Sequence, residues 1–250
     1  MKVAYLKIGN SNIALMNKAR IGVVEKENFF SSPIFKALRS FDEVWVVSVV
    51  PSVLRKLRKA LPRVKFYEAR RKDFSIHSLY ASMGLDRILN IFAGQQLVRG
   101  AFCVIDLGTA ITVDFVSAER QHLGGWILPG PTLWMKSLHE NTALLPVVAP
   151  RKFKSSKTRR SQAFGSNTFE SIQLGYLALL RGIMTEANKV ARDTFRGKSY
   201  KILFTGGWSD LASDFKGVRI DHLGLKSLPQ LRALLRTKEY GTAKVRRSHT

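Results

Sequence analysis

Two short segments of this sequence combine residue types that suit the binding of phosphate groups. Residues 5–11 (YLKIGNS) and 104–110 (VIDLGTA) share one pattern: an apolar run, a charged residue, an aliphatic residue, a glycine and a small polar residue. A second apolar run follows each segment, which predicts a strand, a tight glycine turn and another strand. Because glycine has no side chain, such a turn can approach a ligand closely and present backbone N–H groups to phosphate oxygens.

The charged residue of this pattern differs between the two copies. The second copy has Asp106, and a carboxylate at the end of a strand suits a metal ion bound to a phosphate. The first copy has Lys7, whose ammonium group reverses the local charge. A lysine can contact a phosphate directly, take the place of a cation, or point into solvent at a degenerate site. The sequence leaves these three interpretations of Lys7 open.

The elements that must position these turns form two similar halves. The hydrophobic pattern of the first half predicts strands at 2–8, 12–16, 20–25, 44–50 and 64–68 and helices at 33–40, 51–60 and 78–97. The second half predicts strands at 102–106, 110–116 and 201–205 and helices at 132–139, 168–191 and 228–236. This repetition predicts a duplicated α/β protein whose glycine turns line a ligand cleft between the halves. We expect an N-terminal lobe at 1–99, a C-terminal lobe at 100–238 and a basic tail without stable structure at 239–250.

Composition is typical of a soluble protein in a reducing compartment. The chain has 250 residues, of which 45% are hydrophobic, enough to form a substantial core. No run approaches the roughly 20 apolar residues that span a bilayer, and residues 1–20 do not resemble a signal peptide. The single cysteine, Cys103, excludes an internal disulfide and lies within an apolar strand pattern. We therefore expect a cytoplasmic protein with no membrane partner.

The net charge is strongly positive and unevenly distributed. Lysine and arginine number 41 against 18 aspartate and glutamate residues, a formal charge of +23. The excess is concentrated at residues 55–72 and 151–160. Such tracts either form a solvated surface or attract polyanions. Because neither tract has zinc-ligand spacing or an obvious helix-turn-helix pattern, nucleic acid would have to bind through its phosphates.

Several motifs occur in the order and spacing of a known family. They are residues 84–87 (GLDR), 106–114 (DLGTAITVD), 124–130 (GGWILPG) and 205–207 (TGG). From residue 3 to about residue 225 the sequence resembles the type III pantothenate kinases, also called the Bvg accessory factor family. That family is part of the superfamily of acetate kinases, sugar kinases and actin. The resemblance implies two ribonuclease-H-like lobes, as in actin-like ATPases, with a nucleotide cleft between them.

The resemblance also implies an activity with its cofactors and partners. Members of this family transfer the γ-phosphate of ATP to a hydroxyl of pantothenate, giving 4'-phosphopantothenate in the first step of coenzyme A synthesis. They work as homodimers, and they need a divalent cation such as Mg²⁺ and a monovalent cation such as K⁺ or NH₄⁺. A kinase of this family is therefore the function that the resemblance implies.

Individual residues match the functional positions of the family. Asp86 matches the general base, which accepts the proton of the attacking hydroxyl. Arg87 suits the carboxylate of the substrate, because a guanidinium group can bind it through two hydrogen bonds. The resemblance assigns the pantothenate site to Gly84, Leu85, Arg87 and Thr168, the ATP site to Lys7, Gly9, Asn10, Ser11, Asn12 and Thr109, and the monovalent-cation ligand to Asp106.

The sequence departs from the family pattern at three places. The family has aspartate at the position of Lys7, it has tyrosine at the spacing of His77 before the general base, and it lacks the basic segment 151–160. Three functions are therefore considered: an active pantothenate kinase, an impaired member that acts as a regulatory or nucleic-acid-binding protein, and a kinase for another small acceptor.

Overall fold

The computed structural model describes residues 1–149 and 164–247, with side chains described as far as residue 237. The predicted basic segment 151–160 lies outside the described residues. The chain divides into two compact units. The first contains Met1–Gln96 together with the chain from Leu223 onward, and the second contains Leu97–His222.

The first unit is built on a five-stranded sheet in the order β3-β2-β1-β4-β5. The strands are β1 (Val3–Ile8), β2 (Asn12–Asn17), β3 (Arg20–Glu25), β4 (Glu43–Ser48) and β5 (Lys65–Glu68). The first three strands form an antiparallel meander, whereas β4 and β5 add in parallel. The helices of this unit are α1 (Pro33–Leu38), α2 (Pro51–Ala60), α3 (Leu85–Leu97) and α6 (Leu223–Arg247).

The second unit repeats this topology. Its strands are β6 (Ala101–Leu107), β7 (Ala110–Val116), β8 (His122–Pro129), β9 (Tyr200–Thr205) and β10 (Val218–Arg219), and its helices are α4 (Pro131–Glu140) and α5 (Thr168–Thr194). The sheet order is β8-β7-β6-β9-β10, again with an antiparallel meander followed by two parallel strands. The predicted duplicated, ribonuclease-H-like α/β fold is therefore confirmed.

Each unit has its own apolar core on one face of its sheet. In the first unit, alternate residues of β1 and β4 pack with Phe29, Leu38 and Leu57, all of which are fully buried. In the second unit, the 27-residue helix α5 covers the sheet. Its buried side chains recur every three or four residues and form one stripe: Ile172, Tyr176, Leu180, Ile183, Met184, Ala187 and Ala191.

Helix α6 packs on the first sheet, although the sequence predicts that residues up to 238 belong to the second lobe. Glu43 of β4 is only 4% exposed, and Arg236 donates to both of its carboxylate oxygens, at 2.7 and 2.8 Å. Arg232 lies 3.6 Å from the same carboxylate. Removing the partner of a buried charge costs about 3–5 kcal/mol, so these pairs fix α6 to this unit. The bounds of α6 include most of the 239–250 tail, for which the sequence predicts no stable structure.

Among the helices of the described residues, none has the length and apolar character needed to cross a membrane.

Candidate active site

The turn between β1 and β2 is closed by a hydrogen bond from its glycine. The N–H of Gly9 donates to the carbonyl oxygen of Asn12 at 2.9 Å, and a Cβ at Gly9 would lie 3.0 Å from that oxygen. The Gly9 N–H is thus used within the turn, so a phosphate at this turn would be bound by the residues that follow. Asn10 and Asn12 are exposed and Ser11 is half-buried.

Lys7 is the second-last residue of the same strand and lies on the face opposite the apolar core. It lies in register with Ala14 of β2 and Val47 of β4, and both of those residues are buried. Lys7 itself is half-buried, and it forms no hydrogen bond or ion pair with any residue that the structure describes. The position that the family resemblance assigns to ATP binding therefore has an ammonium group without a counter-charge among the described side chains.

In the second unit, Asp106 lies where two strand ends approach closely. It is in register with Thr112 of β7 and Thr205 of β9. Gly206, directly after β9, has a φ of +97°, and a Cβ there would lie 2.4 Å from Oδ1 of Asp106. Only glycine fits this position, because an L side chain would be both strained and in collision with the carboxylate.

A third glycine segment packs on the turn between β6 and β7. The N–H of Gly130 donates to the carbonyl oxygen of Thr109 at 3.0 Å. A Cβ at Gly130 would lie 2.2 Å from the carbonyl oxygen of Gly108 and 2.5 Å from that of Thr109. Gly130 and Gly206, about 20 and 100 residues later in the sequence, therefore both pack on the turn that follows Asp106. Thr109 is exposed at this turn.

Asp86 lies in the first turn of α3, where the helix dipole favours a negative charge. Its Oδ1 accepts a hydrogen bond from the N–H of Arg87 at 2.9 Å. A Cβ at Gly84 would lie 2.6 Å from the same oxygen, so glycine leaves room for the carboxylate to fold back. Asp86 is half-buried, and no described residue donates to its Oδ2. One oxygen is oriented while the other is able to accept a proton.

Arg87 is buried and contacts an aromatic residue that the sequence motifs do not identify. Its side chain is 5% exposed, and its guanidinium group donates to the hydroxyl oxygen of Tyr80 and lies 5.7 Å from the centre of that ring. Tyr80 is 43% exposed, so its phenol connects the buried cation to the surface. His77, at the spacing where the family has tyrosine, is exposed. The phenol of this site therefore comes from Tyr80.

Arg71 holds the segment that carries Tyr80. Its guanidinium group donates to the carbonyl oxygens of Tyr80 at 2.7 Å and Ala81 at 3.4 Å, and also to that of Leu79. These contacts bridge eight to ten residues of sequence. No motif could have revealed them, because every residue has a carbonyl group. Arg71 therefore positions the residues just before Gly84.

Thr168 begins α5 in the second unit, but it is not the residue that caps the helix. The side chain of Asn167 accepts from the N–H of Glu170 at 3.0 Å, and Glu170 in turn accepts from Ser166. The Asn167 side chain thus satisfies one free N–H at the helix N-terminus, and Glu170 holds the residue that precedes the cap. Thr168 is exposed, so its hydroxyl is accessible to a ligand.

Three other reactive side chains of the second unit, those of Cys103, Asp114 and His122, are buried structural groups. His122 and Asp114, each 1% exposed at the side chain, approach to 2.8 Å. Burial raises the pKa of the Cys103 thiol well above its ordinary value, which makes it a poor nucleophile. Across residues 1–149 and 164–237, no cluster of three or more His, Cys, Asp or Glu side chains could hold a metal ion.

The close approach of Gly206 to Asp106 predicts a sharp difference between two adjacent glycines. Gly206→Ala should destabilise the protein by about 1–3 kcal/mol through backbone strain, in addition to the collision with Asp106. Gly207→Ala is the control, because a Cβ there would have no atom within 4 Å. Thermal unfolding of both variants, followed by circular dichroism, should show a lower Tm for Gly206→Ala alone. Equal Tm values would contradict this description of the turn.

Comparison with known proteins identifies the family. The type III pantothenate kinase family model matches residues 6–189. A type III pantothenate kinase of Pseudomonas fluorescens strain Pf0-1 is 38% identical over 135 residues, 54% of this chain and 53% of that protein. One from Pseudomonas aeruginosa strain LESB58 is 37% identical over 145 residues, 56% of each chain. The chain thus spans about half the length of the curated relatives it matches.

A solved structure supports the fold over nearly the whole chain. It is that of a conserved protein from Campylobacter jejuni named for the Baf family of transcriptional activators. It is 20% identical, has a TM-score of 0.58, and the match covers 95% of this chain and 98% of that one. At this identity the likeness is evidence for a shared fold. Because the family model matches well over half of its residues, this chain belongs to the type III pantothenate kinase family.

Proposed function

We propose that this protein transfers the γ-phosphate of ATP to a hydroxyl of pantothenate, giving 4'-phosphopantothenate and ADP. The observation that carries the proposal is the geometry of Asp86, with Oδ1 fixed by the N–H of Arg87 and no described donor on Oδ2. Family membership supports the identity of the substrate. No observation favours an impaired, regulatory member of the family or a different small acceptor.

The proposed reaction requires one proton transfer and one phosphoryl transfer. Asp86 accepts the proton of the pantothenate hydroxyl as the oxygen forms its bond to the γ-phosphorus. The bond between that phosphorus and the bridging oxygen breaks, and the electron pair leaves with ADP. Tyr80, backed by the buried charge of Arg87, would bind the substrate carboxylate at the surface. The family resemblance also assigns a substrate contact to Thr168, whose hydroxyl is exposed in the second unit.

The nucleotide and its cations would be held by the turns at the strand ends. Asn10, Ser11 and Asn12 follow one glycine turn, and Thr109 is exposed on the other. When bound, the cations would neutralise charge on the phosphates. Asp106, a single carboxylate at a strand end, fits a monovalent cation such as K⁺ or NH₄⁺. The first turn, with Lys7, does not fit a divalent ion such as Mg²⁺, because it offers no carboxylate there.

The proposal also includes the cellular location of the protein and two partners, nucleic acid and a second copy of the chain. The protein would act in the cytoplasm. The basic stretch 55–72 stays a candidate surface for nucleic acid, since α2 exposes Arg55, Lys56, Arg58 and Lys59. A second copy of the chain would pack on α5, whose exposed surface includes Gly175, Ala178, Leu179 and Gly182.

The kinase proposal predicts that Asp86→Asn lowers kcat for pantothenate phosphorylation by about 10²–10⁴-fold, because the amide cannot accept the proton. The measurement is ADP release with ATP, Mg²⁺ and K⁺, with the product identified by mass spectrometry. Asp42→Asn, which changes an exposed acid of the same unit, should retain activity. The proposal fails if the wild-type protein makes no phosphopantothenate, or if Asp86→Asn matches it.

The contacts of Arg71 predict a defect in substrate binding. Arg71→Ala should raise KM for pantothenate about tenfold or more, since it removes charged hydrogen bonds worth about 1.5–3 kcal/mol each. Arg71→Lys should be intermediate, because lysine keeps the charge but loses the planar fork. Steady-state kinetics with Lys72→Ala, an exposed neighbour, provides the control. A fall in kcat at unchanged KM would argue against a positioning role.

The homodimer proposal predicts that a charge on the exposed face of α5 separates the subunits. Leu179 is 39% exposed, and Leu179→Glu would place a carboxylate in an apolar contact. Light scattering after size-exclusion chromatography should give twice the chain mass for the wild type and the chain mass for the variant. Leu133→Glu, at a site on α4 that is 47% exposed, should leave the dimer intact. A monomeric wild type would refute the proposal.

A further inference from the structure

Among the described residues of the first unit, the partly buried cations have partners, with one exception. Within residues 1–96 and 223–237, the cationic side chains that are not fully exposed are Lys7, Lys26, Arg71, Arg87, Arg232 and Arg236. Lys26 lies 3.5 Å from Glu27, and the two arginines of α6 pair with Glu43. Arg71 and Arg87 donate to the carbonyl and phenol oxygens described above. Lys7 alone has no partner among these residues.

The neighbours of Lys7 explain why it has no counter-charge among the described residues. The residues in register on either side, Ala14 and Val47, are apolar and 7% and 1% exposed. Glu43 is the buried acid of the described part of this unit, and it lies in register with Val3. Val3 is four residues from Lys7 along β1, roughly 13 Å at the rise of a strand. A half-buried ammonium without an anion is unfavourable, which points to an anion supplied by a ligand.

Comparison of Lys7 with the equivalent residue of the second unit indicates which kind of anion it binds. Lys7 and Asp106 occupy equivalent positions, since each lies on the central strand of its sheet, two residues before a turn glycine. Each is also in register with an antiparallel strand on one side and a parallel strand on the other. A carboxylate at such a position repels phosphate oxygens unless a metal ion lies between them, whereas an ammonium attracts them directly.

We propose that the Lys7 ammonium binds the phosphate oxygens of the nucleotide directly, and so replaces a divalent metal ion at the first turn. This inference rests on the proposed use of ATP, but it does not depend on which acceptor is phosphorylated. Its consequence is a nucleotide affinity that survives removal of divalent metal. The residue determines whether the protein binds the free nucleotide or only the metal complex.

The test measures nucleotide binding in the absence of pantothenate. Its result therefore does not depend on whether pantothenate is the acceptor. Calorimetry would measure the affinity for ATP in EDTA and in excess Mg²⁺. The wild type should bind ATP in both conditions with affinities within a few-fold of each other. Lys7→Ala should weaken binding in EDTA about tenfold or more, the loss expected for a charge-assisted hydrogen bond. Lys7→Asp should bind only in Mg²⁺, and Lys7→Arg should keep binding in EDTA.

The controls separate a local charge effect from a folding defect. Lys2→Ala removes an exposed lysine near the start of the same strand and should leave both affinities unchanged. Lys7→Arg, which preserves the charge, keeps the inference testable if Lys7→Asp does not fold. The inference is overturned if the wild type binds ATP only with Mg²⁺, if it binds no ATP, or if Lys7→Ala binds ATP in EDTA as tightly as the wild type.

Discussion

The arrangement of each unit depends on the pairing of its central strand. β1 and β6 each form a hairpin with the next strand of the chain and then pair in parallel with a strand from much later in the sequence. A hairpin can be encoded by a local glycine turn, but a parallel partner requires a long crossover. Because parallel strands end at the same edge of the sheet, the pairing of β6 with β9 sets Asp106 beside Thr205 and brings Gly206 against the carboxylate. Glycine is required at position 206 because this strand register leaves no room for a side chain there.

The acceptor side of the candidate site is held by backbone rather than by packing. Asp86 is oriented by the N–H of the next residue, and the segment before it is held by three carbonyl contacts from Arg71. Tyr80 is exposed while its partner Arg87 is buried. A rigid cation behind an accessible phenol suits the recognition of a small anion, since little side-chain entropy is lost on binding.

Duplication gave the two units the same topology, and charge distinguishes them. The first unit balances its partly buried cations within its described residues except at Lys7, while in the second unit the equivalent position holds a carboxylate. The buried pair of Asp114 with His122 and the inert thiol of Cys103 lie within the core of the second unit. Polar groups inside the units thus serve mostly to support the fold, and the functional candidates lie at strand ends and helix starts.

The sequence placed Asp86 inside a helix predicted from residue 78, whereas α3 begins at Leu85, and it did not predict β8 or β10. It did determine the duplicated α/β fold, the other strands and the glycine turns of both units. These features are local, because hydrophobic period, glycine and helix-start signals act over a few residues. Tertiary structure alone decided that α6 belongs to the first unit, that Arg71 holds the carbonyls of 79–81, and that Tyr80 rather than His77 contacts Arg87. It also brought Gly130 and Gly206 onto the turn after Asp106. Carbonyl acceptors and close backbone approaches leave no signature in the sequence, since any residue can supply them, and only the packing of distant segments selects which one does.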